Sequence, residues 1–136
     1  MNKAVAAVIV MVILAAITAL PVSAFNMTEK VVVASSLVLV ARTPAGGMSP
    51  VDRISAMNDR LIPIISYERL TPDRIRLRSL NGQQCIFVGN RLLTTVTHED
   101  AVANGTTVPK LGRFWLHNAR LAIPEARPYA NIYLTR

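Results

Sequence analysis

Cysteine is nearly missing from this chain: Cys85 stands alone among 136 residues. An internal disulfide is therefore excluded, and so is any paired Cys-x-x-Cys metal or redox centre. A lipid-anchored form is also disfavoured, because no cysteine follows the apolar start. Aromatics are scarce, with 3 Phe, 3 Tyr and 1 Trp. None interleaves with the arginines as a nucleic-acid stacking platform requires. Histidine occurs twice, and no block of five like charges is present. The chain holds no strand–Gly-x-Ser-x-Gly–helix signature and no His-Glu-x-x-His pair.

What is present begins with a leader. Lys3 gives a short positive start, Ala4 to Leu20 is apolar apart from Thr18, and Pro21 breaks the run. Val22-Ser23-Ala24 then places small residues at −3 and −1 of a cut before Phe25, which is the layout of a secretory signal. The alternative is an uncleaved anchor, since the apolar run lies between the usual lengths of a signal core and a spanning helix. Either way an extracytoplasmic location, periplasmic or secreted, is expected. The boundaries that follow are 1–24 for the leader, 25–35 for a lead-in and the start of the first strand, 36–128 for one α+β domain, and 129–136 for a tail or edge strand. Setting Lys3 aside, 14 basic residues face 8 acidic ones. All but Lys30 and Lys110 of those basic residues are arginine.

Val31 to Ala41 is β-branched and apolar, interrupted only by Ser35-Ser36, and reads as one buried strand. Ser49 and Asp52 form a capping box, with Pro50 at the first helical position. Ile54, Met57, Leu61 and Ile64 recur at helical spacing behind it, with Arg53 and Arg60 off that stripe. Pro63 should end this helix near residue 62. From Asp73 the period falls to two, and Asn81-Gly82 and Gly89-Asn90 punctuate a three-stranded meander of Arg74–Ser79, Gln83–Val88 and Arg91–Val96. Thr97-His98-Glu99-Asp100 opens a short helix that Gly105 stops. Thr107 caps a second long helix whose apolar face is Leu111, Trp115, Ala119 and Ala122, ended by Pro124 and Pro128.

Counting outward from the two turns pairs Ile75 with Val88, Leu77 with Ile86, and Ile86 with Leu93. The opposite face then holds Arg76 beside Phe87 and Leu92, and Arg78 beside Cys85 and Thr94. An antiparallel sheet with one wet face should be polar there, and Phe87 and Leu92 break that rule. Either another segment covers this face, or it is a binding surface of Arg76, Arg78, Phe87 and Leu92. No catalytic residue is selected. His98, Glu99 and Asp100 cannot share a metal, because consecutive helical residues project about 100° apart. His117 has no partner suggesting a metal. No metal and no cofactor is expected.

Several segments together resemble a known family. Gly46-Gly47-Met48-Ser49 leads to Arg53 and Arg60-Leu61, followed by Leu92-Leu93-Thr94-Thr95-Val96-Thr97 and Asp100-Ala101. Asn104-Gly105-Thr106-Thr107, Leu111 with Trp115, and Ala122-Ile123-Pro124 complete the pattern. They resemble an uncharacterised bacterial extracytoplasmic α+β module. That module is seen alone after a signal peptide and also ahead of the membrane part of some cyanobacterial mechanosensitive-channel-like proteins. The resemblance covers roughly residues 36–128 and brings no catalytic residues. This chain departs from the fused members in having no later apolar segment.

The expected fold is a four-stranded, mostly antiparallel sheet with two long helices on one face and a short connecting helix. The expected function is a non-enzymatic binding, sensing or assembly module of the bacterial cell envelope. Two alternatives stand beside it: a small secreted hydrolase with a dispersed active site, and a basic module binding anionic lipid or cell-wall polymer. The partner would be an envelope protein or an anionic glycan or lipid, and not nucleic acid. Contact with the membrane is expected only if the leader is retained.

Overall fold

The computed structural model describes residues 29–126. Residues 1–28, where the leader and lead-in are expected, and residues 127–136, which include Pro128 and the expected tail or edge strand, lie outside the described residues. The order of elements is β1 (Glu29–Val33), β2 (Ser36–Ala41), α1 (Pro50–Tyr67), β3 (Ile75–Leu80), β4 (Gln83–Val88), β5 (Arg91–Val96), α2 (His98–Ala103) and α3 (Val108–Ala122). Short 3-10 turns at Pro72–Arg74 and Ile123–Glu125 complete it. Among the described residues, no helix is long and apolar enough to cross a membrane.

The class is α+β, but the strands form two antiparallel sheets rather than a single four-stranded one. One sheet is the β1–β2 hairpin and the other is the β3–β4–β5 meander. The Val31–Ala41 run does not continue as one strand. It reverses at Ala34 and Ser35, whose φ angles are 48° and 66°. Eleven extended residues would far outrun six-residue neighbours, whereas two halves folded together satisfy each other's backbone. The sequence hides this reversal because two-residue hairpin turns usually carry Asn or Gly at positive φ. Ser35-Ser36 was its only trace.

Both capping boxes form as expected. Asp52 N–H donates to Ser49 Oγ at 3.2 Å, and Ser49 N–H to the Asp52 carboxylate at 3.3 Å. Thr97 and Asp100 repeat the exchange at the start of α2. The end of α1 differs, because the helix passes through Pro63 to Tyr67. Pro63 and Asp59 both lie on the exposed face. The Asp59 carbonyl that proline leaves unpaired therefore meets water, while Ile64 on the next turn packs into the core.

In the meander, Ile75 pairs with Val88, Leu77 with Ile86, Arg76 with Phe87 and Arg78 with Cys85, as counted from the turn. The β4–β5 register slips by one after Phe87–Leu92, so Ile86 faces Thr94 and Cys85 faces Thr95. This bulge sends both Leu93 and Thr94 inward, 2% and 4% exposed. Helix α3 packs on β2 and on the inner face of β3 and β4, and α1 packs on β1 and beside β5. Gly112 permits the approach of α3. A Cβ there would come within 2.9 Å of Gln84 Oε1 and 3.3 Å of the Leu77 methyls. Trp115, Leu39, Met57, Leu61, Ile75 and Ile86 are among the largest side chains in the resulting core.

The β1–β2 reversal yields a test. Replacing Ala34-Ser35 by Asn-Gly should raise the unfolding free energy by about 1–2 kcal/mol, because both positions then suit a left-handed backbone. Urea denaturation measures it, and an unchanged or lowered midpoint counts against the turn.

Candidate functional site

At the junction of the two sheets, α1 and α2 meet through one ion pair. Arg53 and Asp100 are 3% and 0% exposed and lie end to end, with Arg53 Nη1 and Nη2 each 2.8 Å from a different carboxylate oxygen. The expectation that Arg53 lies off the buried stripe is therefore corrected. Arg53 sits beside Met57, one turn along α1, and its guanidinium leaves solvent entirely. Every neighbour contributes to satisfying the pair. Arg53 Nη1 also donates to the Thr43 carbonyl at 2.7 Å, and Nη2 to the Thr95 carbonyl at 3.4 Å. Thr43 Oγ1 donates to Asp100 Oδ1 at 2.9 Å, and Thr97 N–H to Asp100 Oδ2 at 3.1 Å.

Two opposed effects act on the Asp100 carboxyl. Burial pushes its pKa up, but the hydrogen bonds from Arg53 and Thr97, together with the Arg53 charge, outweigh burial and hold it below 3.8. A carboxyl lowered in the folded state stabilises the fold above its unfolded pKa and stops doing so as pH falls through the folded value.

Arg60, seven residues after Arg53, lies on the same flank of α1 and reaches β5 as well. Its Nη1 donates to the Leu93 carbonyl at 3.0 Å. Unlike Arg53 it is exposed, and among the described residues no carboxylate forms an ion pair with it. Between α1 and β5 lies a groove of about 290 Å³. Ala56, Met57 and Arg60 form its helical wall, and Leu92, Thr94 and Thr95 its strand wall. Its lip is the tight turn from Ala45 to Met48, closed by hydrogen bonds of 3.0 and 3.1 Å. That turn needs Gly46 and Gly47, whose φ angles are +60° and +76°. A broader depression of about 770 Å³ lies beyond the lip, beside His98, Glu99 and the start of α3.

The predicted binding face is arranged as follows. Arg78 stacks on Phe87, its guanidinium carbon 5.4 Å from the ring centroid. Phe87 stands directly across from Leu92 on the outer side of the sheet, and both are half-buried. Arg76 is exposed opposite Phe87, with Nε donating to the Asp73 carbonyl at 2.9 Å. The helices that pack on this sheet do so from the inner face and from the β5 flank. Of the four predicted residues, only Leu92 also lines the groove. Arg53, Arg60 and Asp100 stand in the segments that carry the family resemblance, but the sequence reading gave none of them a site role. The heptad spacing of the two arginines was the available signal, whereas Asp100 carried only the signature of a helix start.

His98 and Glu99 are exposed while Asp100 is buried, consistent with a helix start. Among the described residues, no three of His, Cys, Asp and Glu converge on one point. Cys85 is buried, with its sulfur 3.4 Å from Thr95 Oγ1.

Against known families, residues 30–126 match the model of a domain of unknown function (DUF8459). The chain belongs to that family. No curated protein and no solved structure matches. The family match takes in every described element after Glu29, so the ion pair, the groove and the outer sheet face all belong to the DUF8459 domain.

The ion pair sets a pH test. At neutral pH, Asp100→Asn should lower the unfolding free energy by about 3 kcal/mol or more, since it leaves a buried guanidinium without its countercharge. That gap should begin to narrow as pH falls below about 3.8 and close only through the lower value at which the folded carboxyl takes up its proton. Urea unfolding across pH measures both, and a gap independent of pH would contradict the assignment.

Proposed function

We propose that this DUF8459 domain is an exported, non-enzymatic binding module of the bacterial cell envelope, using the outer face of β3–β4–β5 as its recognition surface. The observation that carries the reading is the placement of half-buried Phe87 and Leu92 beside Arg76 and Arg78, on the side of the sheet away from α3. Among the described residues, neither arginine forms an ion pair. Apolar area framed by arginines suits a protein or glycan surface bearing carboxylates or phosphates. The Arg78–Phe87 stack restrains the guanidinium over the ring, so less freedom is lost when an anion binds.

The leader supports an envelope location. The resemblance to modules that precede the membrane part of mechanosensitive-channel-like proteins supports a sensing or assembly role.

A photo-reactive amino acid placed at Phe87 in intact cells tests this reading. It should capture a discrete envelope component that the same group at exposed Val102, on α2, does not. Arg76→Ser with Arg78→Ser should suppress that capture at least about tenfold while leaving the thermal midpoint unchanged. Equal capture from both positions, or capture indifferent to the two arginines, contradicts it.

A further inference from the structure

We propose that the groove between α1 and β5 binds a small amphipathic anion, a single carboxylate or phosphate on a short apolar chain, with Arg60 as its anchor. The inference goes beyond the outer-face reading, because the groove is a separate concavity that shares only Leu92 with that face.

The two arginines lining the groove differ in what they can offer. Arg53 is spent: both terminal nitrogens are committed to Asp100 and to backbone carbonyls, and its charge is cancelled within the protein. Arg60 is not. One hydrogen bond to the Leu93 carbonyl fixes its position across the groove, and the rest of its donors have no partner among the described residues. A guanidinium tethered by a backbone carbonyl and otherwise open presents a planar fork to a carboxylate or phosphate. Neither wall supplies a competing acidic side chain.

The remaining lining selects the body of the ligand. Met48, Ala56 and Leu92 present apolar surface above the buried Met57, and Met48 adapts to chains of different shape. The hydroxyls of the strand wall are already engaged. Thr94 Oγ1 is 3.4 Å from the Thr95 carbonyl, and Thr95 Oγ1 is 3.4 Å from Cys85 Sγ. The groove therefore offers one charged anchor that is free to pair, with Gln83 and Thr97 as further polar groups beside a mainly apolar lining. At 290 Å³ it sits at the small end of ligand pockets, roughly 300–1,000 Å³, which suits a short chain better than a long lipid.

Titration of the purified full chain with octanoate, octyl phosphate and octanol tests this, followed by amide chemical shifts at Gly46, Leu92 and Thr95. Octanoate or octyl phosphate should saturate and move those three amides, and whichever binds more tightly names the headgroup. Octanol should bind about tenfold more weakly or worse, since it lacks the charge. Arg60→Gln, whose amide can still donate toward Leu93, should bring the anions down to the level of octanol. Ala56→Leu, which narrows the helical wall, should weaken all three and serves if Arg60→Gln proves unstable. Arg76→Ser with Arg78→Ser should leave octanoate binding unchanged, which separates this site from the outer face. Octanol binding as tightly as octanoate, shifts confined to residues outside the groove, or no saturation by either anion would overturn the proposal.

Discussion

The Arg53–Asp100 ion pair is the constraint on which the arrangement of this domain depends. Four segments from two stretches distant in sequence meet at it: the loop after β2 through Thr43 and α1 through Arg53, then β5 through the Thr95 carbonyl and the start of α2 through Asp100 and Thr97. A buried charge pair is a poor source of net stability, because desolvating both groups costs about as much as their attraction returns. Its effect here is geometric. A bidentate guanidinium–carboxylate contact tolerates little rotation, so it fixes how the β2–α1 loop, the helix and the sheet edge are placed relative to one another. The Gly46-Gly47 lip and both walls of the groove inherit their positions from that fixing.

Arginine recurs at the sheet edges. Arg53 and Arg60 donate to carbonyls of β5, and Arg120 Nε donates to the Ile75 carbonyl of β3 at 3.0 Å. Both outer strands of the meander thus have backbone acceptors occupied by side chains from helices, which blunts edges that could otherwise pair with foreign strands. Lysine, a point charge on a flexible stem, could not bridge two acceptors in the same way. The predominance of arginine over lysine, which in composition looked like a matter of net charge, is partly a matter of hydrogen-bond geometry. It also divides the basic residues into those occupied by the fold, such as Arg53, and those left to face solvent, such as Arg60 and Arg78.

Much of the local structure was legible in the sequence. Ser49 with Asp52 and Thr97 with Asp100 announced two helix starts. Asn81-Gly82 and Gly89-Asn90 set the meander, and its β3–β4 register followed by counting. The errors have physical causes. Ala34-Ser35 turns the chain without a turn-favouring residue, so the first strand appeared single and one sheet was expected where two exist. Pro63 was read as a stop because its exposed, water-facing position was not visible in the pattern. The bulge near Leu93 shifted the second register by one, because two successive residues both gain by burial. Leu92 and Phe87 were correctly placed on one face. The ion pair was illegible because its partners are 47 residues apart and each had a simpler local explanation.

The direct test of this account is the coupling between Arg53 and Asp100, measured by urea unfolding of wild type, Arg53→Met, Asp100→Leu and the double variant. The account predicts that the double variant loses less stability than the two single losses combined, by about 2 kcal/mol or more, because a lone buried charge is worse than none. Losses that add to within about 0.5 kcal/mol would show the two residues to be independent and would contradict the central role given to the pair.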